Sequence, residues 1–290
     1  MKKRIRALLA ENKLDCFGFL PLDNCKIMRP YLLERVNISR GSVVLFAIPY
    51  YTHACDGKRN LSTYAVSDDY HLYFKTLSDR LLSVLRAEFP QNRFAAFADH
   101  SPIDERTAAA AAGLGVLGKN GLLITEKYSS YVFLGEILTD AALACKPLPI
   151  RSCLDCGACK RVCPLNIGEC QECLSSLTQR KGPLSSDEEQ ILLKYGSVWG
   201  CDLCQEVCPH TKKAKQNGTL YTPISFFSKN SLPVLTRSIL LAMDDEAFAA
   251  RAYSWRGKEV ILRNLALAEK KHEISKTIPK HKNLTKKDNS

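Results

Sequence analysis

Residues 153–164 read CLDCGACKRVCP, and residues 201–209 read CDLCQEVCP. Both motifs end on C-x3-C followed by proline, and the first opens with the spacing C-x2-C-x2-C. Ten of the chain's 13 cysteines lie between Cys145 and Cys208. An odd number of thiols in tight CxxC spacing makes a poor disulfide framework and, in a reducing compartment, points to metal. Covalent staples are not needed either, because 290 residues can bury a core of one or two domains.

The spacing says which metal. Cys153, Cys156 and Cys159 can wrap three corners of one cubane, while Cys163, followed by Pro164, is turned away from it. In two-cluster ferredoxins that fourth cysteine serves the other cluster. Crossing the motifs in this way gives one 4Fe-4S site on Cys153, Cys156, Cys159 and Cys208. A second takes Cys201, Cys204, Cys163 and one further ligand, for which Cys170 and Cys173 are the candidates. CxxC pairs also build tetrahedral zinc sites. Zinc knuckles do not require the C-x3-C-P ending that appears here twice, so iron–sulfur is the reading. Cys16, Cys25, Cys55 and Cys145 lack such partners and read as small packing residues. Two clusters carry electrons without performing a reaction, so the remaining chain must say what receives them.

No apolar run reaches the roughly 20 residues that span a bilayer, and the start, MKKRIRALLAENKLD, reads as a charged helix rather than a signal peptide. A cytoplasmic protein with no membrane partner is expected. The formal net charge of +11 favours a polyanion such as RNA, DNA or an anionic cofactor. Much of that excess sits in Lys270, Lys271, Lys276, Lys280, Lys282, Lys286 and Lys287, which read equally well as a solvated tail.

The run SVVLFAIPYY after Gly41 predicts a buried strand. From Tyr70 to Phe89, Leu72, Phe74, Leu77, Leu81, Leu82 and Leu85 recur at helical spacing and stop before Pro90. RFAAFAD predicts a short strand that delivers Asp99, and ERTAAAAAGLG a helix closed by Gly113. GLLIT and SYVFLGEILTD read as further strands. Residues 146–215 show no long apolar period and are expected to depend on metal rather than on a core of their own. Residues 216–269 look helical again. The class is α/β with an inserted metal-binding module. Asp99 by itself reads either as an Asx cap for the helix after Pro102 or as an acid.

SDDYH at 67–71, ADHSPIDERTAAAAAGLGVLGKNGLLI at 98–124, FLGEILTD at 133–140, both cysteine motifs and WRGKEVILRN at 255–264 occur in this order. That ordered set resembles the epoxyqueuosine reductase family, cobalamin-dependent iron–sulfur enzymes of tRNA modification. The resemblance implies a corrinoid-binding α/β domain at 1–145, a ferredoxin-like double 4Fe-4S module at 146–215, a helical segment at 216–269 packing on the core, and a flexible basic tail at 270–290. It implies an oxidoreductase that turns the epoxide of epoxyqueuosine at the tRNA wobble position into an alkene, giving queuosine.

Asp99 matches the family's proposed proton donor, expected to be a carboxyl whose pKa burial raises. Arg106, Gly118, Lys119 and Asn120 match the region that cradles the corrinoid: glycine admits a large ring and cations suit its polar arms. Gly113 and Gly115 read as a helix cap and a turn. Cys173, followed by LSSLT, resembles the family's eighth ligand, with Cys170 the alternative. His53 and His71 read as ordinary surface or core residues rather than cobalt ligands. The implied partners are the anticodon region of tRNA and an external one-electron donor. Tyr50, Tyr51, Trp199 and Trp255 are candidates for stacking on a base. Longer members continue past the RN motif into a helical-repeat domain, so a short form without it is implied. Two other functions fit the motifs: a corrinoid iron–sulfur reductase of a small organic substrate, as in the reductive dehalogenases, and an electron-transfer protein with two clusters and no substrate.

Overall fold

The structure, a computed structural model, describes residues 1–165 and 173–277, with side chains to residue 271. Its centre is the apolar run expected as a strand. Strand β2 (Ser42–Pro49) is buried along its whole length. Alternation explains why the run is continuous: Val44, Phe46 and Ile48 enter one core, and Val43, Leu45 and Ala47 enter another on the opposite face. β1 (Phe17–Pro21) pairs with one edge of β2 and β6 (Val132–Thr139) with the other, while β3 (Phe94–Phe97) pairs with β6. The order is β1-β2-β6-β3, antiparallel throughout. A strand covered by helices on both faces loses the polar alternation that a half-solvated antiparallel strand keeps.

On the first face, α1 (Lys2–Glu11) contributes Ile5, Leu8 and Leu9. α3 (Tyr70–Glu88) adds Leu77, Leu81 and Leu85 from one stripe and starts on Asp69, whose side chain accepts the His71 N–H. Leu72, expected on that stripe, is exposed. The same core takes Val198, Trp199, Phe227, Leu240, Tyr253, Ile261 and Leu265 from the far end of the chain.

On the second face lies the alanine-rich helix α4 (Glu105–Ala111), beyond α2 (Pro30–Val36) in the chain. Alanines allow close approach: a Cβ on Gly18 of β1 would stand 2.2 Å from the Ala112 carbonyl oxygen. Gly113, at φ +87°, ends the helix as expected. The turn that follows joins β4 (Gly115–Leu117) to β5 (Leu123–Thr125) in a small hairpin.

The cysteine segment carries α5 (Ala158–Val162), α6 (Leu174–Thr178), α7 (Ser186–Tyr195), α8 (Leu203–Glu206) and α9 (Pro209–Gln216). It holds a small apolar cluster after all, Leu174, Leu177 and Leu192, closed by Leu267. The sequence pattern hides this because the apolar residues come from separate short helices. α10 (Arg237–Ala242), α11 (Asp245–Ala249) and α12 (Lys258–Thr277) complete the fold. Among the described residues no helix is long and apolar enough to cross a membrane. Cys170 and the lysines from Lys280 onward lie outside the described residues.

Candidate active site

The chain entering the first cysteine motif is stitched to β4. The Leu117 N–H donates to the Arg151 carbonyl at 2.9 Å, and the Cys153 N–H to the Leu117 carbonyl at 3.0 Å. Asp155 and Gly157 then adopt left-handed backbone, φ +51° and +69°, which curls the loop around Cys156. α5 and α8 pack together, and Pro209 starts α9 directly after Cys208. Cys153, Cys156, Cys159 and Cys208, the crossed set expected for one cluster, consequently line a single cavity, with Cys204 at its wall. The thiols expected for the other cluster adjoin it. Cys201 interacts electrostatically with Cys204 and Cys173, and Cys204 with Cys159 and Cys163.

Burial pushes the Cys201 thiol up to about 12 and the Cys204 thiol up to about 11. Only a coordinated metal would take their protons near neutral pH. Five cysteines, Cys153, Cys156, Cys159, Cys204 and Cys208, share that hollow with Ile124, Leu154, Pro209 and His210, whose buried Nε2 has no hydrogen-bond partner among the described residues, and a set so rich in sulfur suits a cluster.

Asp99 follows β3 in left-handed backbone, φ +61°, and is exposed. The expectation of a buried carboxyl is thus corrected: a residue two past the strand end, on an open turn, keeps its side chain in solvent. The helix-cap alternative is also displaced, because Asp104 caps α4 by accepting the Thr107 N–H at 3.3 Å. Burial acts instead on two carboxyls that the sequence reading missed. Glu105, at the start of α4, is pushed up to about 7, and its Oε1 accepts the Asp99 N–H at 3.1 Å. Glu136, on β6 and 0% exposed, is pushed far up by desolvation and lies 2.7 Å from Ser101 Oγ. The available signal was an acid inside an otherwise apolar strand, VFLGEILT.

Around Asp99, Tyr31 OH lies 2.8 Å from His100 Nε2, and the Met28 and Arg29 N–H groups both donate to the Pro102 carbonyl. Tyr70 stacks on Phe133 at 3.8 Å, and its burial-raised phenol feels the charges of Asp99 and Glu105. Donating its ring N–H to the Asp69 carboxylate raises the pKa of His71, which also feels Asp99. Met28, Tyr31 and Leu72 are exposed apolar side chains beside these groups.

The four residues expected at the corrinoid join this acid face to the cysteine-lined cavity. Arg106 Nη1 donates to the Gly121 carbonyl at 2.6 Å, bracing the turn after β4 from α4. Gly118, Lys119 and Asn120 line the cysteine cavity. Lys119 pairs with Asp155 at 3.3 Å, and Asn120 accepts the Leu122 N–H and reaches Cys204. A Cβ on Gly118 would fall 2.3 Å from Asn120 Oδ1, so any larger residue must push that amide off the Leu122 N–H. Of the four candidate stacking aromatics, Tyr50, Tyr51 and Trp199 are buried; Trp255 is 58% exposed, with the Arg256 guanidinium 3.9 Å from its ring centre. His53 stacks on Tyr221 at 3.9 Å.

No protein-family model matches the chain. A curated relative from Gloeobacter violaceus, named epoxyqueuosine reductase, is 32% identical over 216 residues, which make up 71% of this chain and 68% of that protein. In several further relatives of the same name the match takes in 57 to 60% of their length. Among solved structures, an epoxyqueuosine reductase from Bacillus subtilis, described with its catalytic aspartate loop swung out of the active site, aligns with a TM-score of 0.71 at 25% identity over 92% of this chain and 81% of that one. Another epoxyqueuosine reductase, solved with an epoxyqueuosine-modified tRNA stem loop, shares the fold with a TM-score of 0.67 at 24% identity, over 92% of this chain and 81% of that one.

Proposed function

The chain belongs to the epoxyqueuosine reductase family, and we propose that it reduces the epoxide of epoxyqueuosine in tRNA to the alkene of queuosine, using two 4Fe-4S clusters and a corrinoid. The overall change consumes two electrons and two protons and releases the epoxide oxygen as water. The single observation that carries the reading is the meeting of Cys153, Cys156, Cys159 and Cys208 in one cavity whose wall, Gly118 to Asn120, is braced by Arg106 to the helix that begins beside Asp99.

In this reading Cys153, Cys156, Cys159 and Cys208 hold one cluster, and Cys163, Cys173, Cys201 and Cys204 hold the other. The corrinoid, when bound, supplies a low-valent cobalt that delivers electrons to the epoxide carbon. Its ring suits the exposed apolar surface of Met28, Tyr31 and Leu72. Arg106 and Lys119 stand at the edge to meet polar arms. The Lys119–Asp155 pair is about half exposed, so exchanging it for a ligand costs little. Ring opening leaves charge on oxygen, and Asp99 donates a proton there; its exposure lets a flipped-out nucleotide reach it. Trp255 with Arg256 offers an open stacking surface to a base, and the chain's net charge of +11 favours the RNA backbone.

The test is anaerobic reconstitution with iron, sulfide and cobalamin, followed by turnover of an epoxyqueuosine-containing tRNA stem loop, read by nucleoside mass spectrometry. Wild type should form queuosine, and Asp99→Asn should lose on the order of 10²- to 10⁴-fold in kcat. Intact clusters with no corrinoid uptake and no queuosine would overturn the assignment in favour of an electron carrier.

A further inference from the structure

Glu136 is an expensive residue where it stands. Its carboxyl is 0% exposed on the α4 face of the sheet, and Oε2 has no hydrogen-bond partner among the described residues. An apolar side chain of similar size would serve the core better. Its other oxygen reaches Ser101 Oγ, and the proton count there is informative. Ser101 Oγ lies 2.7 Å from Glu136 Oε1 and 3.2 Å from the Ile103 carbonyl oxygen, and it accepts the Ile103 N–H at 3.0 Å. A hydroxyl has one proton, so it cannot donate to both oxygens. A neutral Glu136 that donates to Ser101 satisfies all three contacts, and the strong upward push of burial on Glu136 favours that form.

The rest of the loop is tied just as fully. The Ser101 carbonyl accepts from Arg29 Nη1 at 2.8 Å, and the Pro102 carbonyl accepts from the N–H groups of Met28 and Arg29. At the opposite end, Glu105 accepts the N–H of Asp99 itself, whose backbone sits in a region that a non-glycine residue rarely adopts.

We propose that Glu136 and Glu105 are positioning residues for proton delivery: from β6 and α4 they lock the loop from Asp99 to Ile103 in the conformation that presents the Asp99 carboxyl, an inference that rests on Asp99 being the acid. Neither glutamate touches the reacting atoms. Glu136 sets the loop through Ser101, and Glu105 holds the backbone of Asp99. The mid-loop contacts from Arg29 keep the segment between them from rotating as a unit.

The experiment uses the cluster- and cobalamin-loaded protein, with two readouts: steady-state kinetics on the tRNA stem loop, and amide hydrogen exchange at Asp99 and Ile103 without substrate. Glu105→Ala should lower kcat on the order of tenfold to a hundredfold with KM within about twofold. It should also speed exchange at Asp99 while protection in β2 is unchanged. Glu105→Gln keeps an acceptor oxygen and should restore both readouts to within about threefold. Glu136→Leu removes the buried carboxyl; it should leave the melting temperature equal or higher, yet lower kcat and speed exchange at Ile103. A purely structural role predicts the reverse for that variant, a lower melting temperature in step with lost activity. Unchanged exchange in Glu105→Ala and Glu136→Leu, with Asp99→Asn inactive, would overturn the lock alone. Normal turnover by Asp99→Asn would overturn the acid assignment, and with it the lock's purpose.

Discussion

A carboxyl moved from water to the junction of α4 and the Asp99 loop resists ionisation, and burial, ahead of every other influence, brings Glu105 from an ordinary 4.5 to about 7. The hydrogen bond from the Asp99 N–H opposes this rise, as does the charge of Arg29, while the carboxyls of Asp99 and Asp104 push Glu105 up; Glu136 and Tyr70 face it from the sheet and α3. Because the folded value is the higher one, the stability linked to this proton is complete below 4.5 and is lost as pH rises through 7. Glu105→Gln should remove that loss, at most about 1.4 kcal/mol per pH unit within the window. Denaturation of wild type and variant from pH 4.5 to 7.5 checks it, and parallel curves for the two would exclude Glu105 as the titrating group. Asp99 was legible in the sequence because it sits in a long motif. Glu105 lies six residues further in the same motif and reads only as a first-turn acid. That its oxygen turns back to the Asp99 amide is a property of the turn, which spacing cannot express.

Between elements, the cysteine module is held by side chains far from it in sequence. Asn264 on α12 is buried, and its Nδ2 donates to the Thr178 carbonyl at 2.7 Å and to the Val198 carbonyl at 2.8 Å, joining the end of α6 to the approach of the second cysteine motif. Beside it, Arg263 Nη1 donates to the carbonyls of Arg180 and Gly182. From the other side, buried Asp202 accepts from Ser62 Oγ, the Thr63 N–H and Thr63 Oγ1 and pairs with Arg59. The RN pair in WRGKEVILRN is thus a clamp, although the sequence offered it only as part of a family resemblance. Asn264→Ala leaves two buried carbonyls without a donor and should cost about 2 to 4 kcal/mol, read by chemical denaturation of the loaded protein. A loss below half of that range would mean that water replaces the amide. The helix was readable from its period; which carbonyls it reaches was not, because they are contributed by loops.

At the scale of the molecule, the sheet and its two cores contain none of the motif cysteines, whereas the arms carrying Cys153 to Cys163 and Cys201 to Cys208 meet around the hollow they line. Stripping iron with a chelator should therefore speed amide exchange in both arms by at least about tenfold and in β2 by less than about twofold. Uniform loosening of arms and sheet would show that the clusters support the whole fold. The two cysteine motifs, the buried strand, the long helix and Asp99 could all be read along the chain, since each is a matter of residue type and short spacing. The crossed meeting of Cys208 with Cys153 was legible for the same reason, a local rule about C-x3-C-P. Other features arose only when distant segments came together. Asp99 is exposed, two glutamates behind it took up the burial, three of four candidate aromatics went into the core, and Arg106 braces a turn. Burial and hydrogen-bond partners depend on which segments fold against each other, and a chain's periodicity reports the face of an element, not what will cover it.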